Sequence, residues 1–136
     1  SNREKVLRRV EKGIHGLSNS LLDVPWPKVS QGTAALAQCL KGLEVDPEDL
    51  FRIMLDDTQA ADHELPQTGL TLEWERLLSS AFIRSADYGT RATTILLVDR
   101  EDNVRFWERT SPNNQTNHNH QTNQVYYEFT IGEKGR

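Results

Sequence analysis

The 136-residue sequence predicts an α+β protein, with helices packed on one face of an antiparallel sheet. Three observations carry that expectation. Apolar residues recur at helical spacing through residues 29–81, the periodicity changes after Phe82-Ile83, and strand-like segments joined by turn residues follow. Composition agrees: hydrophobic residues make up 36% and charged residues 26%, enough for one domain with a real core.

Residues 5–10, Lys-Val-Leu-Arg-Arg-Val, read as a short strand. The run from Gly13 to Asn19 holds two glycines and a Ser-Asn pair, which mark irregular backbone or a bulged strand rather than a helix. Pro25-Trp26-Pro27 then breaks the chain and starts a helix, with Val29, Leu36, Leu40 and Leu43 on its apolar side and Gly42 at its end. Asp46-Pro47-Glu48-Asp49 is a strong start for a second helix: Asp46 caps, Pro47 suits the first turn, and the acids favour the positive end of the dipole. Leu50, Phe51, Met54 and Leu55 form its apolar face. Residues 56–69 are polar and loop-like. Thr71 can cap a third helix carrying Leu72, Trp74, Leu77, Leu78 and Ala81.

Ala92–Asp99 is β-branched and almost continuously apolar, as expected of a strand buried on both faces. Arg100-Glu101-Asp102-Asn103 is a turn, and Val104–Arg109 is the returning strand of a hairpin. From Gln124 to Ile131 the pattern alternates, with Val125, Tyr127, Phe129 and Ile131 on one face, which predicts a half-buried strand. Residues 113–123 are Asn, Gln, Thr and His with no apolar anchor, and are expected to form a mobile loop. A three-stranded sheet of this kind looks too small to close unaided. Missing N-terminal strands would complete it, and the whole chain, 1–136, then reads as a portion of a single domain.

Several functions are disfavoured. The formal net charge of −4 argues against nucleic acid as a partner. No apolar run approaches the roughly 20 residues of a membrane span, and the charged start lacks the apolar core of a signal peptide. The single cysteine, Cys39, excludes an internal disulfide and fits a reducing, cytoplasmic setting. Position 1 is Ser and the one methionine is Met54, so the sequence looks either like a piece of a longer chain or like one carrying a cloning remnant.

His118 and His120 sit two apart in a polar tract, which supplies neither fixed geometry nor a third ligand, so no metal and no resident cofactor is expected. Cys39 with His15 suggests a thiol nucleophile and base, but the cysteine falls near the apolar face of a helix with no base at a motif-like distance, and a structural role is expected. The acidic stretches Glu44–Asp49 and Asp56–Glu64 read as helix caps and solvated faces.

Two segments are harder to explain as packing: Gly16-Leu17-Ser18-Asn19, and Asp87-Tyr88-Gly89-Thr90-Arg91 before the most hydrophobic strand. Each sets polar donors beside glycine, which lets backbone N–H groups approach a ligand. Asn can donate to an oxyanion and Arg can clamp a carboxylate. Ordinary turn chemistry uses the same residues, with Asn19 and Thr90 satisfying backbone and Arg91 forming an ion pair.

These segments also carry a family resemblance. Gly16-Leu17-Ser18-Asn19-Ser20-Leu21-Leu22-Asp23-Val24-Pro25-Trp26-Pro27-Lys28 resembles the G-L-S-N-A-L-L-(D/E)-T-P-W-x-K stretch of the NRDE, or transport and Golgi organisation, family. Tyr88-Gly89-Thr90-Arg91-Ala92-Thr93-Thr94 resembles its Y-G-T-R-x-(S/T)-T segment, and Phe106–Arg109 and Tyr127–Thr130 are similar to its closing hairpin and last strand. The likeness runs from about Ser1 to Ile131 and is looser across 30–75. It favours a fragment over a cloning remnant at Ser1.

The resemblance implies an Ntn-hydrolase-like sandwich of two antiparallel sheets between helix layers. It implies a longer parent whose N-terminal half carries a cysteine after the initiator Met, as presumed nucleophile, and the Asn-Arg-Asp-Glu motif. This chain would then be the C-terminal portion, inert alone, with that missing half as its partner. By likeness to penicillin acylases and bile-salt hydrolases, Asn19 matches an oxyanion-hole residue and Arg91 a residue supporting the nucleophile, with Ser18, Tyr88, Gly89 and Thr90 lining the ligand. The implied activity is an amide hydrolase or acyltransferase. The alternative is a non-catalytic carrier for haem, an acyl-CoA or another hydrophobic small molecule, since animal members of the family are tied to Golgi organisation, haem trafficking and lipid handling. Self-processing that exposes Ser1 as nucleophile is a weaker third reading. Asn19 and Arg91 are expected to converge on one pocket.

Overall fold

The computed structural model describes residue 7, residues 9–111 and residues 123–132. The chain comprises two compact units, Ser1–Ser85 and Ala86–Arg136. The first is helical: α1 (Pro27–Cys39), α2 (Pro47–Met54), a 3-10 turn η1 (Asp62–Glu64) and α3 (Leu72–Ser79). The second is a three-stranded antiparallel sheet, β1 (Ala92–Val98), β2 (Asn103–Thr110) and β3 (Asn123–Thr130), in the order β1-β2-β3. The fold is α+β with an antiparallel meander, as the sequence predicts.

α1 starts where Pro25-Trp26-Pro27 places it, with extended Trp26 at the N-cap and proline in the first turn. It stops at Cys39, however, with Gly42 in the turn that follows, where its N–H donates to the Cys39 carbonyl. Leu40 and Leu43 therefore lie beyond the helix and are exposed, contrary to the expected apolar stripe. Cys39 is a free, half-buried thiol rather than a buried one. α2 is capped by Asp46, whose Oδ1 accepts the Glu48 N–H at 2.9 Å. Leu50 and Phe51 are its buried residues, while Met54 is exposed. α2 packs on α1, and Leu65 and Phe82 join Leu50 and Phe51 in the core.

α3 departs from its sequence pattern. Thr71 occupies the N-cap without a side-chain capping bond, and Leu72 and Trp74 are exposed. Its buried face is polar, centred on Glu75 and Ser79. Both are satisfied: Glu75 Oε1 accepts from the N–H and the hydroxyl of Thr68, and Ser79 Oγ accepts from Ala60 N–H and donates to the Arg76 carbonyl. The loop 56–71 is thereby stitched to α3, helped by a two-pronged Arg76–Asp62 pair at 2.7 Å. Glu75→Ala is expected to destabilise the protein by about 1–3 kcal/mol, because it removes the acceptor for both Thr68 donors. An unchanged thermal midpoint would show that the stitch contributes nothing.

Of residues 5–10, only Leu7, Arg9 and Val10 are described, and they belong to no helix or strand. The rest of the segment for which a first strand is expected lies outside the described residues.

In the sheet, Ala92 pairs with Thr110 and Val98 with Val104, and Asn103 pairs with Thr130 and Thr110 with Asn123. The β1–β2 turn is built by Asp99, whose Oδ1 accepts the N–H groups of Glu101 and Asn103 at 2.9 Å, with Asp102 in the left-handed region (φ 60°). β1 is not buried on both faces. Thr93 and Ile95 are buried, but Leu96 and Val98 on the opposite face are exposed. β3 alternates as expected but is exposed along its whole length rather than half-buried, as the edge of a three-stranded sheet. Cross-strand aromatic pairs occupy both faces, Phe106–Tyr127 on one and Trp107–Tyr126 on the other, with centroids 6.0 and 5.0 Å apart. The tract 113–123, with His118 and His120, lies outside the described residues except for Asn123, which opens β3.

Candidate functional site

The Gly16–Asp23 segment is a closed loop. Asp23 N–H donates to the Gly16 carbonyl at 2.8 Å, Gly16 N–H donates to Asp23 Oδ1 at 2.8 Å, and Leu17 bridges to Leu22. Asp23 adopts a left-handed backbone (φ 59°), which lets its carboxylate fold back over the loop mouth. Outside the loop, His15 Nδ1 meets Asp23 Oδ2 at 2.6 Å and its Nε2 meets the Glu11 carbonyl at 2.9 Å. Gly16 is required where the loop lies against α1: a Cβ there would stand 2.6 Å from Val29 Cγ1 and 3.2 Å from Thr33 Cγ2. Lys28, at the end of the family-like stretch, donates from Nζ to the Leu78 carbonyl at 2.8 Å, and burial pushes its pKa down.

Held between these fixed ends, Ser18 is half-buried and Asn19 is exposed. Among the described residues no hydrogen bond engages the Asn19 side chain. In the second unit, Tyr88, Gly89, Thr90 and Arg91 lead directly into β1. Tyr88, Gly89 and Arg91 are exposed and Thr90 is half-buried. The Arg91 carbonyl accepts from Ser111 N–H at 2.8 Å, which ties the segment to the end of β2. Among the described residues its guanidinium has no ion-pair partner. Asn19 belongs to the first unit and Arg91 to the second.

The sequence offers a Cys39–His15 thiol and base only to disfavour it, and the structure gives His15 other partners. Both imidazole nitrogens are engaged, by Asp23 and by the Glu11 carbonyl, which leaves neither to activate a thiol. The roles of His15 and Asp23 as the loop's fastening were missed. The available signal was their placement on either side of the G-L-S-N stretch.

Fold and loop together describe an α+β chain in which a pinned Asn-bearing loop precedes an antiparallel meander. The profile of the Transport and Golgi organisation 2 family matches residues 1–113, and the chain belongs to that family. It is 32% identical over 127 residues to the Transport and Golgi organization 2 homolog of Mus musculus, covering 88% of this chain and 45% of that protein. The Homo sapiens homolog is 31% identical with the same coverage, and the Bos taurus homolog is 34% identical over 107 residues, 71% of this chain and 38% of that one. The chain thus spans less than half the length of the curated relatives it matches. Among the described residues no helix is long and apolar enough to cross a membrane.

Proposed function

We propose that this chain is the C-terminal portion of an Ntn-type amide hydrolase or acyltransferase, with Asn19 donating to the developing oxyanion and Arg91 supporting the nucleophile or a substrate carboxylate. The observation that carries this reading is the uncommitted amide of Asn19, exposed at the tip of a loop pinned at both ends. A donor held rigidly and spared from structural use is preorganised for charge that develops during reaction. Ser18, Tyr88, Gly89 and Thr90 would line the acyl group. The nucleophile and the remaining strands belong to the length that the relatives have beyond this chain.

The sheet supports the layered architecture that this reading needs. Leu96, Phe106 and Tyr127 share one face, while Ile95, Trp107 and Tyr126 share the other. A sheet apolar on both faces belongs between two layers. The same face, with Leu96, Tyr127 and Phe129 exposed, also favours the second reading, a carrier for haem or a fatty acyl-CoA.

Hydrolysis of activated thioesters and amides by the full-length protein tests the first reading. Turnover is expected from the full-length protein and none from residues 1–136 alone. Saturable binding of haem or acyl-CoA without turnover would select the carrier. Turnover by residues 1–136 that is lost on Ser1 substitution would make Ser1 the nucleophile and overturn both.

A further inference from the structure

His15 is bound at both ring nitrogens by oxygen atoms, the Asp23 carboxylate at 2.6 Å and the Glu11 carbonyl at 2.9 Å. A carbonyl only accepts, and so does an ionised carboxylate. A neutral imidazole has one N–H and satisfies one of them, whereas an imidazolium donates to both. Asp23 is matched to the same state: Oδ2 faces His15, Oδ1 takes the Gly16 N–H, and its own N–H closes the loop on the Gly16 carbonyl. Val29 and Thr33, which face Gly16 from α1, carry no charge. Among the described residues Asp23 is the ionisable side chain that acts on His15.

We propose that His15 is a positioning residue whose imidazolium, clamped between Asp23 and the Glu11 carbonyl, fastens the Gly16–Asp23 loop, so that protonation of His15 sets how Ser18 and Asn19 are presented. The fastening stands on this geometry. Its consequence for activity rests on the reading of Asn19 given above.

The direction with pH follows. The Asp23 hydrogen bond, and then the Glu11 carbonyl, raise the His15 pKa above its ordinary 6.5. This contribution is complete below 6.5 and is lost as pH rises through the raised value. The His15 hydrogen bond, and then the Gly16 amide, lower the Asp23 pKa below 3.8, so its contribution is present above 3.8 and is lost as pH falls through the lowered value. The loop is therefore tightest between 3.8 and 6.5 and loosens in base. Both groups are solvent-accessible, so added salt weakens the effect.

The test uses the full-length protein and two variants. Asp23→Asn keeps a residue that tolerates a left-handed backbone but removes the charge. His15→Gln keeps a neutral amide donor group but cannot titrate. In the wild type the His15 ring resonance is expected to titrate above 6.5, returning towards 6.5 in Asp23→Asn. Amide exchange across residues 16–23, corrected for its intrinsic pH dependence, should accelerate between about pH 6 and about pH 9 in the wild type and lose that dependence in His15→Gln. If the enzyme reading holds, the alkaline limb of the kcat profile moves down in Asp23→Asn while KM stays put. A His15 resonance titrating at or below 6.5, or equal loop exchange in wild type and both variants, overturns the fastening. An intact fastening with no effect of Asn19→Ala on turnover or ligand binding instead overturns the Asn19 reading.

Discussion

Phe51→Ala is expected to lower stability by about 3–5 kcal/mol. Phe51 is 1% exposed and is the largest fully buried side chain among the described residues. Its position follows from local causes: Asp46 caps α2, Pro47 and the acids stabilise the first turn, and the short helix presents Leu50 and Phe51 inward. Removing the ring loses its transfer free energy and leaves a cavity, because the packed helices relax only in part. Denaturant unfolding should show a lower midpoint with an unchanged slope. Asp46→Ala is a useful comparison, since losing the cap costs only about 1 kcal/mol. A Phe51→Ala loss as small as that of the cap would mean that the core does not close around this residue.

The largest expected functional effect is that of Asn19→Ala in the full-length protein. Loss of one oxyanion donor removes about 3 kcal/mol of transition-state stabilisation, on the order of a hundredfold or more in kcat. KM should change little, because the amide would act on charge that develops only in the transition state. Stability should also be nearly unchanged, since among the described residues the side chain makes no hydrogen bond and is exposed. In a carrier, the same substitution alters ligand affinity and leaves no turnover to lose. A structure of the full-length protein with Asn19 and Arg91 on opposite faces of the fold would defeat both readings.

Local signals were legible where the physics is local. Pro27 and Asp46-Pro47 mark helix starts because capping and a fixed φ act within one turn. The hairpin around Asp99–Asn103 was visible because Asp side chains satisfy nearby backbone groups. The 3-10 turn at Asp62–Glu64 was not, because part of its support, the Asp62–Arg76 pair, comes from α3 rather than from its neighbours. The exposure of Leu40, Leu43, Leu72 and Trp74 escaped the periodicity argument for a related reason: apolar spacing shows which residues share a face, not whether that face is covered.

The candidate site divides in the same way. By itself the sequence determined the α+β class, the helix starts, the meander and membership of the family, because capping, alternation and the G-L-S-N and Y-G-T-R stretches are properties of neighbouring residues. Tertiary structure alone decided that β1 is buried on one face, that Glu75 and Ser79 rather than leucines form the inner side of α3, and that His15 is held by Asp23. Burial depends on what lies over a surface, and a hydrogen bond between exposed polar residues leaves no periodic trace in the chain.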